Sequence, residues 1–320
     1  MQIVKLNKSV RGASHKPDGI CQDSNLIQLL DGELYVIAVA DGHGSPICKY
    51  SHIGSDIAVK CFFDLIETLY NKVEGDMWKL SESLNANGAD KLIKYFHKFW
   101  LKEIELSYEN MIKEGTEAEV EKFDPELYGT TFLGLIVGKE FVYALQIGDG
   151  DIVFVEGDQF HHVIDPPKFL GTETYSLSNQ EPWNNAATYF QRMTFFEKAP
   201  CLFMVFSDGF SNSFVDDQQF EIACIDYLRT LQQYGEEAVQ ENLEQWLDET
   251  STEGCGDDIT LVALGAVDDQ MIDVTANNES DADAENDQEQ ITTAEDGNVQ
   301  EEKEIINTEV KDDAVEKKSE

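Results

Sequence analysis

Positively charged side chains are scarce in this sequence. Its 320 residues include 23 Lys and Arg but 63 Asp and Glu, which gives a formal net charge of −40 at pH 7. A protein with so large an excess of acid repels the phosphates of nucleic acids and of anionic lipid headgroups. The composition therefore predicts that neither nucleic acid nor a membrane is a partner.

Long apolar runs and paired cysteines are also lacking. No segment approaches the roughly 20 apolar residues that span a bilayer, and residues 1–9 lack the apolar core of a signal peptide. The absence of any Cys-x-x-Cys pair argues against a zinc ribbon or a disulfide scaffold. The six cysteines are scattered at Cys21, Cys48, Cys61, Cys201, Cys224 and Cys255. We therefore expect a cytoplasmic protein with reduced cysteines.

Composition divides the chain into two predicted parts. Residues 269–320 contain 18 Asp and Glu and 4 Lys and Arg, with few branched or aromatic side chains. Such a segment cannot bury enough apolar surface to fold, so we expect a disordered acidic tail. The tail either solvates the protein, docks a basic partner, or competes with phosphate for a basic substrate groove. Residues 1–268 are expected to form one domain, as a monomer.

Apolar periodicity in residues 1–268 predicts strands interleaved with helices. Residues 25–40 predict a β-hairpin and residues 129–164 a β-meander, because strand-like apolar runs are separated by Gly-containing turns. Helical periodicity is found at 46–72, 88–114, 216–233 and 235–250. Helices that cover a β-sandwich make an α+β fold.

Carboxylates recur where the strand-like runs begin or end. Asp41 and Asp208 each follow an apolar run and precede a glycine, Asp149 follows a third run, and the pair Asp257 and Asp258 precedes a fourth. Mg²⁺ and Mn²⁺ prefer oxygen ligands, and rigid strands hold such ligands in place. The pattern predicts a hard-cation site, although Asp-Gly is also a common turn signal.

These acids belong to six motifs whose order resembles that of the metal-dependent serine/threonine protein phosphatases of type 2C. The motifs are Gln22-Asp23, Asp41-Gly-His-Gly44, Gly129-Thr-Thr131, Gly148-Asp149, Ser207-Asp-Gly209 and Asp257-Asp-Ile-Thr260. The segment Gly12-Ala-Ser-His15 is similar to a bacterial branch of that family. The resemblance implies a four-layer α-β-β-α sandwich of two mainly antiparallel sheets flanked by helix pairs. It also implies hydrolysis of phosphoserine and phosphothreonine by a water bound between two Mg²⁺ or Mn²⁺ ions.

The resemblance assigns metal ligands to this sequence. Asp41 would bridge both ions, and the carbonyl oxygen of Gly42 would be a ligand of the second ion. Asp208 and Asp257 would hold the first ion. Asp149 would be a ligand of an additional, weaker third ion.

Two further roles follow from the resemblance, and three assignments stay open. Asp23 would orient metal-bound waters, and His43 would be the general acid for the leaving alkoxide, since the ordinary pKa of histidine is about 6.5. Asp258 competes with Asp257 as the ligand, because the two are adjacent. Asp149 is either a ligand or a turn residue, and His43 is either catalytic or structural.

Three departures from the family pattern concern charge near the site. Gln22 stands where many members have Glu, and Asp151 stands where members often have Arg. The arginine that grips the phosphate in many members is missing from its usual place. Arg11, His15 and Lys16 are the candidate substitutes, because they lie close to it in the sequence.

The sequence therefore predicts a metal-dependent phosphatase for phosphoproteins, which would act opposite a cognate serine/threonine kinase. The departures favour one alternative, a pseudophosphatase that binds a partner without hydrolysis. A second alternative is a phosphomonoesterase for small molecules. Mn²⁺ binding tests the first alternative, and comparison of phosphopeptides with nucleotides and sugar phosphates tests the second.

Overall fold

The computed structural model describes residues 1–15, 19–115, 122–165 and 174–268. Lys16 and the predicted acidic tail lie outside these residues, so the predicted boundary at residue 268 stays a prediction. None of the helices in the described part of the chain is both long and apolar enough to cross a bilayer.

Ten strands form two sheets within the described residues. In chain order they are β1 Gln2–Val10, β2 Ser24–Leu30, β3 Leu34–Ala40, β4 Phe132–Val137, β5 Val142–Ile147, β6 Asp151–Glu156, β7 Gln159–Ile164, β8 Ala187–Gln191, β9 Cys201–Phe206 and β10 Ile259–Val267. The first sheet has the order β1-β10-β9-β6-β7 and the second β2-β3-β4-β5-β8. All neighbouring strands are antiparallel.

Helices cover the outer face of each sheet. They are α1 Ser51–Lys72, α2 Met77–Asn87, α3 Ile93–Glu114, α4 Asp208–Ser211 and α5 Asp217–Glu253. Helix α5 is broken at Gly235, where φ is +83°, a value that favours glycine. A π-helical turn, Gly88–Leu92, joins α2 to α3, and 3₁₀ turns lie at Pro125–Tyr128, Pro182–Asn184 and Phe195–Glu197.

Three apolar layers hold the domain together. Side chains such as Ile37 and Leu133 of the second sheet meet Phe203 and Val262 of the first sheet between the two sheets. Helices α1 to α3 pack on the second sheet around residues such as Phe62. Helix α5 packs on the first sheet. The predicted α+β sandwich with helices outside two antiparallel sheets is confirmed.

Three local predictions were wrong. Helix α1 begins at Ser51 rather than at residue 46, and α2 was missed because only three of its side chains are buried. The predicted meander is also divided, because β4 and β5 lie in one sheet and β6 and β7 in the other. The chain changes sheets at Gly148, where φ is +109° and a Cβ would lie 2.6 Å from Thr131 Cβ.

Candidate functional site

Most of the predicted acids line one open cavity of about 1710 Å³. Asp41 follows β3, Asp149 follows β5, Asp208 follows β9, and Asp257 precedes β10. His43 lies in the same wall. Strands of both sheets therefore deliver side chains to this cavity from distant parts of the sequence.

The backbone around Asp41 is fixed by two threonines. The carbonyl oxygen of Asp41 accepts hydrogen bonds from Thr131 N at 2.8 Å and from Thr130 Oγ1 at 2.8 Å. Thr131 Oγ1 accepts a third hydrogen bond from Asp41 N at 3.2 Å. These bonds explain why threonines in the Gly129-Thr-Thr131 motif accompany the acid.

Gly42 lies where no side chain fits. A Cβ at this position would lie 2.6 Å from the carbonyl oxygen of Gln22 and 2.9 Å from that of Ser51. Gly42 N donates to the same Gln22 oxygen at 3.2 Å, and Gly42 pairs with Thr130 in an isolated β-bridge. The close packing of these backbones holds the carbonyl of Gly42 at a fixed place beside Asp41.

Asp208 is the first residue of the short helix α4. The side-chain amide of Asn212 donates to its Oδ2 at 2.9 Å. Burial, followed by the negative charge of Asp149, raises the pKa of Asp208 to about 6. Burial and the charges of Asp23 and Asp208 hold the pKa of Asp41 well above its ordinary value. Asp41 and Asp208 each act on the pKa of the other, so the two carboxyls are neighbours in the cavity wall.

Asp23 is a buried acid that lacks good partners. It is 8% exposed, and within the described part of the chain neither of its oxygens accepts a hydrogen bond of normal geometry. Burial and the charge of Asp258 raise the pKa of Asp23 to about 8, although the nearby hydroxyls of Ser207 and Thr260 act in the opposite direction. Buried carboxylates without a counter-charge are unfavourable, and a cation removes that cost.

The two adjacent acids before β10 have different surroundings. Asp258 is 4% exposed, and its two oxygens accept hydrogen bonds from the backbone amides of Gly12 and Gln22, both at 2.6 Å. The Asp257 side chain is 58% exposed and lines the cavity. This arrangement favours Asp257 as the ligand, since both oxygens of Asp258 bind the backbone, whereas in Asp257 only Oδ1 does so, by accepting from Asp258 N at 2.9 Å.

Replacement of Asp258 by Ala should therefore destabilise the domain. Two buried backbone N–H groups would lose their acceptor, at a cost of about 3 kcal/mol in total. Urea denaturation of the metal-free protein measures this loss. Asp257→Ala is the matched control and should change the free energy of unfolding by less than about 1 kcal/mol. Equal losses in the two variants would contradict the structural role of Asp258.

His43 is half-buried beside Asp41 and faces the cavity. Its backbone N–H donates to the carbonyl of Gly129 at 3.0 Å, and its own carbonyl accepts from Gln22 Nε2 at 3.2 Å. Burial lowers the pKa of His43 and favours the neutral imidazole. The residue is thus held rigidly at the wall, where a proton donor or acceptor can meet a substrate.

The cavity also contains His162, which was not predicted as a site residue. His162 has no carboxylate or cysteine at metal-ligand spacing in the sequence. It is in fact in the cavity wall, with its Nδ1 at 3.6 Å from Asp151 Oδ1. Asp151 is only 3% exposed, and burial is the main cause that raises its pKa. The sequence already placed Asp151 near the site, whereas His162 reaches the cavity only through the pairing of β6 and β7, so no local pattern identifies it.

Asp149 also lies in the wall of the cavity. Burial raises the pKa of Asp149, and the hydroxyl of Thr174 partly offsets this effect. Asp149 influences the pKa of Asp208, which places the two carboxylates in one electrostatic cluster. Asp149 therefore lies in the turn after β5 and also belongs to the acidic cluster.

Among the described residues, neither Arg11 nor His15 lines the cavity, although both are candidate phosphate-binding residues. Arg11 Nη1 contacts the carbonyl oxygen of Gly19 at 3.5 Å and is absent from the cavity lining. His15 lies between the last acids, with Nε2 at 3.6 Å from Asp257 Oδ1 and Nδ1 at 3.1 Å from Asp258 Oδ1. Lys16 lies outside the described residues.

The chemistry of the cluster fits hard cations. In the described part of the chain no group of three or more His, Cys, Asp or Glu side chains is arranged as a complete metal site. The orphaned oxygens of Asp23 and the raised pKa values of Asp41 and Asp208 nevertheless identify a place where negative charge lacks compensation. Oxygen donors of this kind suit Mg²⁺ or Mn²⁺.

Comparison with solved structures shows where this fold occurs. The chain is similar to PppA, a key regulatory component of T6SS in Pseudomonas aeruginosa, with 17% identity and a TM-score of 0.52 over 83% of this chain and 98% of that one. It is similar to a bacterial serine phosphatase, with 14% identity and a TM-score of 0.53 over 84% of this chain and 100% of the other. These likenesses show the fold.

A third similar structure is the PP2C phosphatase domain, with a regulatory fragment, of the cell fate determinant SpoIIE from Bacillus subtilis. The identity is 16% and the TM-score 0.51, with 83% of this chain and 63% of that chain covered. No curated protein matches the sequence. A model of the protein phosphatase 2C family matches residues 11–248, which include all but the last of the six motifs. The chain therefore belongs to the protein phosphatase 2C family.

Proposed function

We propose that this protein hydrolyses phosphoserine and phosphothreonine in phosphoproteins, with two Mg²⁺ or Mn²⁺ ions. Family membership supports a metal-dependent protein phosphatase. The observation that carries the finer proposal is an uncompensated carboxylate cluster, in which Asp41 and Asp208 line the open cavity and the buried Asp23 acts on the pKa of Asp41. Substrates of this class are products of serine/threonine kinases, which are therefore the expected opposing enzymes.

Four residues are proposed to hold the two ions. They are Asp41, the carbonyl of Gly42, Asp208 and Asp257, with Asp149 as ligand of a weaker third ion. The ions would supply a water of lowered pKa and would compensate the charge of the phosphoryl group. Asp23 would orient waters at the ions, because its two oxygens lack hydrogen-bond partners of normal geometry in the described chain.

The residues of the chain have two further tasks in this reaction. The cavity admits a phosphorylated side chain, and the rigid backbone at Asp41 and Gly42 fixes the geometry of the centre, which is most of what phosphoryl transfer requires. His43 would deliver a proton to the leaving alkoxide. Because burial favours its neutral form, this role requires that the pKa of His43 rise when the substrate's phosphate is bound.

Gln22 has a role that the glutamate of many family members cannot fill. Its Nε2 donates to the carbonyl of His43 at 3.2 Å and to Ser51 Oγ at 2.6 Å. A glutamate has no proton for these bonds at neutral pH. The amide thus positions the His43 loop, and we propose that this positioning offsets the missing negative charge.

The test is phosphate release from a phosphothreonine peptide by the purified protein, with Mn²⁺ or with EDTA. Release should require Mn²⁺ and should fall by about a thousandfold in Asp41→Asn. Asp64→Asn is the matched control, since Asp64 is an exposed acid of α1 outside the cavity, and it should retain full activity. Metal-independent release, or normal release by Asp41→Asn, would contradict the proposal.

A pseudophosphatase is the second candidate, and one observation favours it. Within the described residues no Lys or Arg lines the cavity, so a cation that grips the phosphate is missing there. Calorimetric titration with Mn²⁺ separates the two candidates when combined with the release assay. Tight Mn²⁺ binding without release from any phosphopeptide would favour the partner-binding function.

A further inference from the structure

The walls of the cavity have an unusual balance of charge. Ten of the residues that line it are Asp or Glu, and within the described chain none is Lys or Arg. Half of these acids lie outside the proposed metal centre and its neighbour Asp151. This outer set consists of Asp124, Glu126, Asp165, Asp217 and Glu221. A dianionic phosphate group must therefore pass between acidic walls to reach the centre.

The outer acids come from two opposite halves of the fold. Asp124 and Glu126 flank the first residue of the 3₁₀ turn before β4, and the carbonyl of Glu126 accepts from Gly129 N at 3.1 Å. Asp217 and Glu221 occupy the first turns of α5 on the other sheet. Because each pair sits on a fixed element, the carboxylates face the cavity from stable positions.

Within the described residues these carboxylates form no ion pairs, unlike many other surface acids. Elsewhere Lys60 pairs with Asp56 at 2.6 Å and Lys198 with Glu156 at 3.0 Å. In the part of the chain that the structure describes, none of the five outer acids forms an ion pair. Their charge is therefore available to a ligand.

Asp151, a buried carboxylate in the same wall, also favours a cationic ligand. Asp151 is 3% exposed and faces the cavity beside Asp217, whose charge acts on it. His162 Nδ1 lies 3.6 Å from Asp151 Oδ1, beyond hydrogen-bond length, and has no hydrogen-bond partner among the described residues. No lysine or arginine of the described chain pairs with Asp151. A cationic group of a ligand would compensate the charge of Asp151.

We propose that the cavity selects phosphopeptides in which lysine or arginine flanks the phosphorylated residue. This inference rests on the proposed phosphatase function. Metal ions would compensate the central acids, while the outer acids would keep their charge. Lys or Arg on either side of the phosphorylated residue would then meet Glu126 on one wall and Glu221 on the other. An acidic flanking residue would meet like charge, which disfavours binding.

The same charges argue against small phosphates as substrates. Nucleotides and sugar phosphates are anions without a cationic group to contact the outer acids. They would gain at the metal centre but would be repelled by both walls. A phosphopeptide with basic flanks is the class of phosphate ester whose charges complement both parts of the cavity.

The test compares three phosphothreonine peptides that differ only in their flanks, which are Arg, Ala or Glu. With Mn²⁺ at low ionic strength, kcat/KM should be about tenfold higher for the Arg peptide than for the Ala peptide, and lower for the Glu peptide. The preference should shrink at about 0.5 M salt, because the electrostatic screening length there is well below about 8 Å. Equal kcat/KM for the three peptides would overturn the inference.

A double charge reversal assigns the preference to the cavity walls. Glu126→Lys with Glu221→Lys should abolish or reverse the preference for Arg. The matched control, Glu105→Lys with Glu114→Lys, makes the same change of net charge at exposed positions on α3 that do not line the cavity, and it should keep the preference. An equal effect in both double variants would attribute the preference to net charge and overturn the inference.

The peptide with Ala flanks distinguishes the two levels of the proposal. Mn²⁺-dependent release from it supports the phosphatase function whether or not charge matters. If no peptide is hydrolysed, the proposed function is wrong, and fluorescence anisotropy with the same peptides and the Mn²⁺-loaded protein still tests the charge preference. Equal Kd values for the three peptides would then overturn it.

Discussion

Asp208→Asn should abolish hydrolysis of a phosphothreonine peptide and at the same time leave the protein folded. The variant loses a carboxylate that the proposed metal centre requires, so kcat with Mn²⁺ should fall by about a thousandfold. The side chain keeps its size, and its remaining carbonyl oxygen can still accept from Asn212 Nδ2. A loss of activity by unfolding is therefore not expected.

The metal-free variant should be at least as stable as the parent protein. Asp208 lies in a cluster where burial and the charge of Asp149 raise its pKa, and Asp41 is another acid of this cluster. Asn removes one of these competing charges, so the free energy of unfolding without metal should rise by about 1 kcal/mol or stay the same at pH 7. With Mn²⁺ the order should reverse, because metal binding stabilises only the parent.

Thermal denaturation with EDTA and with Mn²⁺ measures both effects beside the activity assay. Asp76→Asn is the matched control, because Asp76 caps α2 through a hydrogen bond from Lys79 N and Asn caps helices equally well. It should change neither activity nor the Mn²⁺-induced shift in Tm. A folded Asp208→Asn protein with normal kcat and a normal Tm shift would show that the metal centre is elsewhere.

Strands that are buried on both faces could be predicted from the sequence alone. All the residues of β9 and β10 are buried, because each strand lies between a helical layer and the opposite sheet. Such strands are continuous apolar runs, and their bounds could be predicted from those runs. The positions of Asp208 just after β9 and of Asp257 just before β10 could be predicted for the same reason.

Sheet membership could not be predicted in the same way. Apolar runs between Gly-containing turns define the strands from β4 to β7 but say nothing about which strands pair. The chain leaves one sheet at Gly148 and enters the other at Asp151. Gly150 packs closely against the Phe206 backbone of β9 at this crossing, a contact that the local sequence does not indicate. A meander and a crossing have the same local sequence pattern.

Adjacent acids could not be separated by sequence for a related reason. Asp257 and Asp258 share every local feature, and their roles depend on Gly12 and Gln22, more than 230 residues away in the chain. His162 likewise gains its place only from its pairing with β6. Long-range backbone contacts, rather than residue type, decide which of these side chains face the cavity.

The same cluster should make the metal-free protein less stable as the pH rises from about 6.5 to about 8. The pKa of Asp23 is about 8 in the folded protein, whereas a carboxyl in the unfolded chain has a pKa of about 3.9. In this pH range the folded state therefore binds more protons than the unfolded state, so the stability due to Asp23 is lost as the pH approaches and passes its folded pKa. Each such carboxyl contributes a loss of about 1.4 kcal/mol per pH unit.

Below about pH 6.5 a buried histidine has the opposite effect on stability. Burial lowers the pKa of His43, so His43 adds stability with rising pH only up to its ordinary pKa of about 6.5. Between pH 6.5 and 8 the buried carboxyls dominate.

Urea denaturation in EDTA at several pH values should show a falling free energy of unfolding, and Mn²⁺ should suppress the fall. Asp23→Asn removes the titrating group and should flatten the curve. An unchanged slope in this variant would assign the effect to other groups, with Asp41 the first to replace, because its pKa is also held well above the ordinary value.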